Sequence, residues 1–168
     1  MTDTLRKLRA LNEAARTLNA CLATTQVLDI VSATAKDALG LGRFVLFLVS
    51  GRDNGLVATR WVGLEDRAME GLRLDPADGL IPALLSTGKT RLIGGGAPIG
   101  LSGVPEGSSG MVACLRTQEG PLGLAAAFSG PMEAFDEDDI EVFSLFVSQA
   151  AIAYRNALLH EETVMANR

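Results

Sequence analysis

The chain is poor in the residues from which reactive sites are built. It holds one histidine, one tryptophan, one tyrosine and two cysteines in 168 residues. Cys21 and Cys114 form no Cys-x-x-Cys pair, so they read as free thiols of a reducing compartment. His160 has no second histidine beside it, so haem, metal and iron–sulfur chemistry lack a ligand set. Basic excess is also missing. The net charge of −5 speaks against a nucleic-acid partner, which calls for a positive field. No apolar run approaches the ~20 residues of a membrane helix. The opening MTDTLRKLRALNEA has no apolar leader core. These absences predict a cytoplasmic chain without membrane insertion. No base–nucleophile pair is visible, so no catalytic residue is expected and the chain reads as a non-enzyme.

What is present suits one globular domain. The chain is 48% hydrophobic and 21% charged. A domain of this size buries roughly 70% of its unfolded surface. Leu8, Leu11, Ala15, Leu18 and Leu22 are spaced three and four apart, an a/d seam of two heptads. Two heptads are too few to stand alone, so residues 1–22 are expected to be a helix that needs a second helix, its own or a partner's. Thr24 or Thr25 offers an N-cap for a second helix, closed by Gly40 and Gly42. Phe44–Val49 is apolar on both sides and predicts a central strand. An Asn-Gly turn leads to a returning strand, Leu56–Val62. Alternation puts Val57, Thr59 and Trp61 on one face of it, and Leu56, Ala58, Arg60 and Val62 on the other.

Asp78 can cap a short helix through Thr87, and Thr90–Ile93 reads as a strand. Residues 94–110 contain seven glycines and two prolines and predict a long mobile loop. Met111–Thr117 and Leu122–Phe128 make a second hairpin. From Asp136 a last helix runs to about residue 165, or ~45 Å. One of its apolar faces holds Ile140, Phe143, Val147, Ala150, Tyr154 and Leu158. The other holds Val142, Leu145, Phe146, Ile152 and Leu159. The order of elements predicts α+β, an antiparallel sheet with long helices on one face.

Four stretches in this order resemble the GAF family of small-molecule sensor domains, a PAS-related fold. They are Arg43-FVLFLVSGRDNGLVATRWVG-Leu64, Asp78-GLIPALLSTGKTRLI, Gly110-MVACLRTQEGPLGLAAAF and Phe135-DEDDIEVFSLFVSQAAIAYRNALL. The resemblance implies a GAF-like body over residues 23–160, with 161–168 finishing the last helix. It implies five to six strands, with a short helix and mobile loop over the face away from the long helices. It also implies a ligand pocket on that face. By order of residues, the family's pocket positions correspond to Val45, Trp61, Leu80 and Ile81. Strand alternation adds Phe47 and Thr59, and helical spacing adds Leu84. Such a pocket suits a flat or apolar ligand of unknown identity.

Several family chemistries meet departures in this sequence. Cyclic-nucleotide-binding members carry Asn-Lys before a later Phe, Asp and Glu. Phe135, Asp136 and Glu137 match the second half, but residues 126–129 read Ala-Ala-Phe-Ser. Members that attach a bilin place His after the Cys, where this chain has Leu115. Members that reduce methionine sulfoxide use several cysteines, and Cys114 alone cannot complete that exchange. The phosphate-loop pattern from Ala83 to Thr90 falls between a helix and a strand, the reverse of what phosphate binding needs. The acidic run Glu133–Glu141 opens a helix, where carboxylates cap free N–H groups.

Two functions follow as expectations. One is a ligand-sensing regulatory domain that signals through its terminal helices to a kinase, cyclase or transcription-activator output domain. The other is a dimerisation module with a vestigial pocket. Its homodimer interface would use Leu8, Leu11, Ala15, Leu18 and Leu22 with Leu145, Ile152 and Leu159.

Overall fold

The computed structural model describes residues 2–51, 54–94, 99, 101, 103–105, 107–130 and 134–166. Its helices are α1 (Thr2–Ala20), α2 (Thr24–Ala33), α3 (Asp66–Met69), α4 (Ile81–Leu85) and α5 (Glu137–Ala166). A π-helical turn, Thr34–Ala38, continues α2. The strands are β1 (Arg43–Val49), β2 (Leu56–Val62), β3 (Arg73–Leu74), β4 (Arg91–Gly94), β5 (Ser109–Thr117) and β6 (Gly120–Phe128). They form one sheet in the order β3-β2-β1-β6-β5-β4, antiparallel throughout. The expected α+β fold with five to six strands is therefore present. Residues 64–77 read from the sequence as irregular or weakly helical; they hold α3 and β3, which are too short to show a period.

The sheet separates two apolar layers. On one side, Phe44, Leu46 and Leu48 of β1 meet α1, α2 and α5. Phe146 of α5 sits between Phe44 and Phe143, with ring centroids 6.0 and 6.3 Å away. On the other side, here called the distal face, lie Val45 and Phe47. β1 is buried on both faces because it is central and both layers are covered.

α5 begins with a reciprocal cap. Asp139 N–H donates to Asp136 Oδ1 at 2.8 Å, and Asp136 N–H donates to Asp139 Oδ2 at 2.9 Å. The Asp139 amide holds the Asp136 carboxyl below its ordinary range, while burial pushes Asp139 up. Capping thus accounts for Asp136 and Asp139 of the acidic run, and Glu133 lies outside the described residues. α1 runs parallel to α5. Thr4 donates to Asp138 and Lys7 lies 4.0 Å from Asp139 at one end, while Thr24 meets Glu161 at the other.

Several expectations are corrected by these contacts. Leu11 and Leu18 are buried in the chain's own core, so they are not free for a partner. Leu8 packs on the same layer, half-buried. The second helix that the seam needs is α5 of the same chain. Val142 and Phe146 are also buried, whereas Leu145, Ile152 and Leu159 are exposed. The predicted second face of α5 is therefore split between core and surface. Neither threonine is the N-cap of α2; Ala23 holds that position. The helix expected from Asp78 to Thr87 is reduced to Ile81–Leu85. The mobility expected of 94–110 falls partly on 95–98, 100, 102 and 106, outside the described residues. Ile99, Leu101 and Ser108 are buried, so the described part of that stretch is anchored.

α5 is long and apolar enough to cross a membrane by length and composition. Of its most apolar window, 44% is buried inside the fold.

Candidate functional site

The distal face brings together most of the residues that the sequence pointed to. Val45, Phe47, Ile81 and Leu84 are buried there in one apolar cluster, and Trp61 and Leu80 pack against it half-buried. β1 supplies the first two by simple alternation. α4 supplies Ile81 and Leu84, three residues apart on one side of a short helix.

Thr59 does not join them, because β2 is bulged. Leu46 pairs with Arg60 but Phe47 pairs with Ala58, so Thr59 has no opposite residue on β1. Its hydroxyl donates to the Val57 carbonyl at 2.9 Å. The bulge also overturns the face assignment for β2. Leu56, Ala58 and Trp61 share the distal cluster. Val62 packs with the helix layer, and Arg60 reaches Asp29 on α2 at 3.2 Å.

The sequence reading missed Met69, Leu74, Ile99, Leu101, Val112, Cys114, Leu124, Ala126 and Phe128, all buried in the same cluster. The β5 and β6 members were available from the even-numbered alternation along the second hairpin. Met69 and Leu74 carried no local signal.

Trp61 is held at the rim of this face. Its indole N–H donates to Asp66 Oδ1, at the start of α3, at 2.7 Å. Asp66 is therefore a positioning group for the indole, a role that sequence spacing does not reveal.

Cys114 lies inside the cluster. Burial pushes its thiol up to about 11, and the Arg116 charge pulls it back only in part. It stays protonated and unreactive at neutral pH. The folded pKa is raised, so its contribution to stability is whole below pH 9 and is lost as pH rises through about 11. At pH 8, iodoacetamide should alkylate Cys21 in the native protein and leave Cys114 until denaturant is added. Peptide mapping reads this directly, and rapid native labelling of Cys114 would contradict the buried placement.

The buried side chains of the distal face pack on one another in a single apolar cluster. A cleft of about 750 Å³ reaches Trp61 from the other direction, with Ser32, Lys36 and Gly40–Gly42. Another of about 700 Å³ lies where α1, α2 and α5 meet, lined by Leu22, Ala23, Gln26, His160, Val164 and Met165 among others. Among the described residues, no group of three or more His, Cys, Asp or Glu is placed to hold a metal ion.

Lys89, the lysine of the phosphate-loop pattern, is exposed between α4 and β4. Thr90, the last residue of that pattern, has its hydroxyl engaged with Ser144 of α5. The helix precedes the loop, so no helix N-terminus faces a phosphate there.

A family model described as GAF domain matches residues 23–154. No curated protein matches the chain. Solved structures do. The GAF domain of an Acinetobacter phosphoenolpyruvate-protein phosphotransferase has a TM-score of 0.76 at 15% identity, over 90% of this chain and 94% of that one. Free methionine-R-sulfoxide reductase from Neisseria meningitidis, in complex with its substrate, has a TM-score of 0.75 at 18% identity, over 93% and 92%. The GAF-B domain of DevS from Mycobacterium smegmatis has a TM-score of 0.67 at 20% identity, over 83% and 98%. At these identities the likeness concerns the fold.

Proposed function

Because the chain belongs to the GAF domain family, a regulatory sensor family found in signalling proteins, we propose that it senses a small, flat, largely apolar molecule at the distal face. The state of that face would pass through α1 and α5 to an output domain of a cytoplasmic signalling protein. The observation that carries this reading is the thinness of the distal cover. A wide apolar surface is roofed by helices of four and five residues and by the segment holding Ile99 and Leu101. The opposite layer is held by helices of 19 and 30 residues. Short elements open at low cost, so a ligand can replace the side chains that fill the face.

Native mass spectrometry of the purified protein tests it. A discrete adduct that leaves on denaturation is expected. Leu80→Glu, which puts a charge at the half-buried edge of the face, should abolish the adduct without changing the oligomeric state. Bare protein from several expression hosts would count against the sensor reading.

A second reading is supported by a separate observation. Leu145, Ile152 and Leu159 are 39%, 55% and 42% exposed and recur every seven residues along α5. A seven-residue apolar repeat suits a parallel helical contact between two copies. The homodimer we propose uses this stripe, together with Leu22. Leu8, Leu11 and Leu18 then brace α1 against α5 from within. Ile152→Glu is expected to give a monomer that still folds cooperatively, because the side chain is open to solvent in the single chain. A variant that keeps its dimer mass in sedimentation would remove this interface.

A further inference from the structure

α2 lacks a cap of its own. Its N-cap position is Ala23, which offers no side-chain acceptor. The missing acceptor comes from α5. Thr24 N–H donates to Glu161 Oε1 at 2.8 Å, and the Thr24 hydroxyl lies 3.0 and 3.3 Å from the two carboxylate oxygens. A carboxylate at a helix N-terminus satisfies free N–H groups and meets the positive end of the dipole. Here that carboxylate belongs to the last turns of another helix. One turn further on, Asp29 of α2 accepts from Arg60 Nε at 3.2 Å. Arg60 is the neighbour of Trp61 on the rim of the distal face. Past that point α2 runs into its π-helical turn, where Leu39 N–H reaches the Thr34 carbonyl at 3.0 Å. Such turns are rare and recur at functional sites.

We infer that α2 is a lever joining the end of α5 to the rim of the distal face, with Glu161 as its latch. Displacement of α5 withdraws the cap from Thr24. The first turn of α2 then loosens, and the Asp29–Arg60 contact changes with it. Movement at the rim travels the opposite way, as coupling between two sites must. Glu161 is a positioning residue in this scheme. The lever rests on the proposed reading of α5 as the output helix, but its test needs no ligand, so the two can fail separately.

The chain carries a reporter at each end. Tyr154 is its single tyrosine, and the Glu161 charge, after burial, keeps its hydroxyl above the ordinary value. Trp61 is its single tryptophan. Glu161→Gln is expected to lower the Tyr154 titration followed by ultraviolet absorbance. Glu161→Ala, which removes the acceptor as well as the charge, should speed Thr24 amide exchange about tenfold, as for a lost cap. At the far end it should raise acrylamide quenching of Trp61. Asp29→Ala should raise Trp61 quenching and, through the same lever, speed Thr24 amide exchange. Unchanged Trp61 quenching in Glu161→Ala would overturn the lever and leave a local cap. Equal loss of protection in β5 and β6 would also overturn it, since the effect would then be general destabilisation.

Discussion

Leu18→Glu is expected to unfold the domain rather than split a dimer. Leu18 is 1% exposed, and it packs in the layer between the sheet and α5. Removing a buried leucine alone costs about 2–5 kcal/mol. The new carboxylate would add the cost of an unpaired buried charge, or would take up a proton to avoid it. The two terms together approach the roughly 5–15 kcal/mol that hold a whole domain. Thermal unfolding by circular dichroism should show the cooperative transition lost or moved down by about 10–15 °C, roughly what 4 kcal/mol means at this size. A variant that melts like the parent but sediments as a monomer would mean that α1 leaves its own domain and faces a partner. The contrast with Ile152→Glu is the useful part. Two Glu substitutions on helices of one layer are expected to separate stability from assembly.

Gly123→Ala is the second large effect. A methyl group built at Gly123 would lie 2.0 Å from the Phe47 carbonyl oxygen and 3.0 Å from its carbon. Both are backbone atoms of β1, and residues 123 and 48 are paired across the β1–β6 ladder. The strands must separate locally, at the centre of the sheet. Overpacking of side chains costs typically 1–3 kcal/mol, and a clash with backbone sits at or above the top of that range. A loss of about 3 kcal/mol in chemical denaturation is expected. Gly94→Ala is the control, since nothing lies within 4 Å of its added methyl and its backbone angle is ordinary. It should change stability by less than about 0.5 kcal/mol. Equal effects at the two glycines would contradict the β1–β6 register.

The sequence was informative wherever an element was long enough to show its period. β1, both hairpins and α5 were legible because their apolar residues recur over seven or more positions. Short elements were not. α3 and β3 together comprise six residues, and their positions follow from what they cover. The seam of α1 was legible as a seam, but its partner was not. Spacing says that Leu11 and Leu18 face a helix, and the parallel run of α1 beside α5 says whose. The distal set was recovered through β1 and α4. It was incomplete because Met69, Leu74 and Ile99 reach it from segments without a period. The Glu161 cap joins residues 137 apart in sequence, beyond the reach of any local pattern.

The bulge at Thr59 has one more consequence. β2 changes parity at that residue. Before it, the even-numbered side chains Leu56 and Ala58 lie on the distal face; after it, the odd-numbered Trp61 does. A single inserted position thus acts as a phase shift. A chain of this family with the same number of residues but regular pairing there would present its Arg60 equivalent opposite Val45, where this one presents an indole. Hydropathy along the strand would look almost the same in both. Relatives aligned by apolar pattern alone would then be assigned one face chemistry while folding with two.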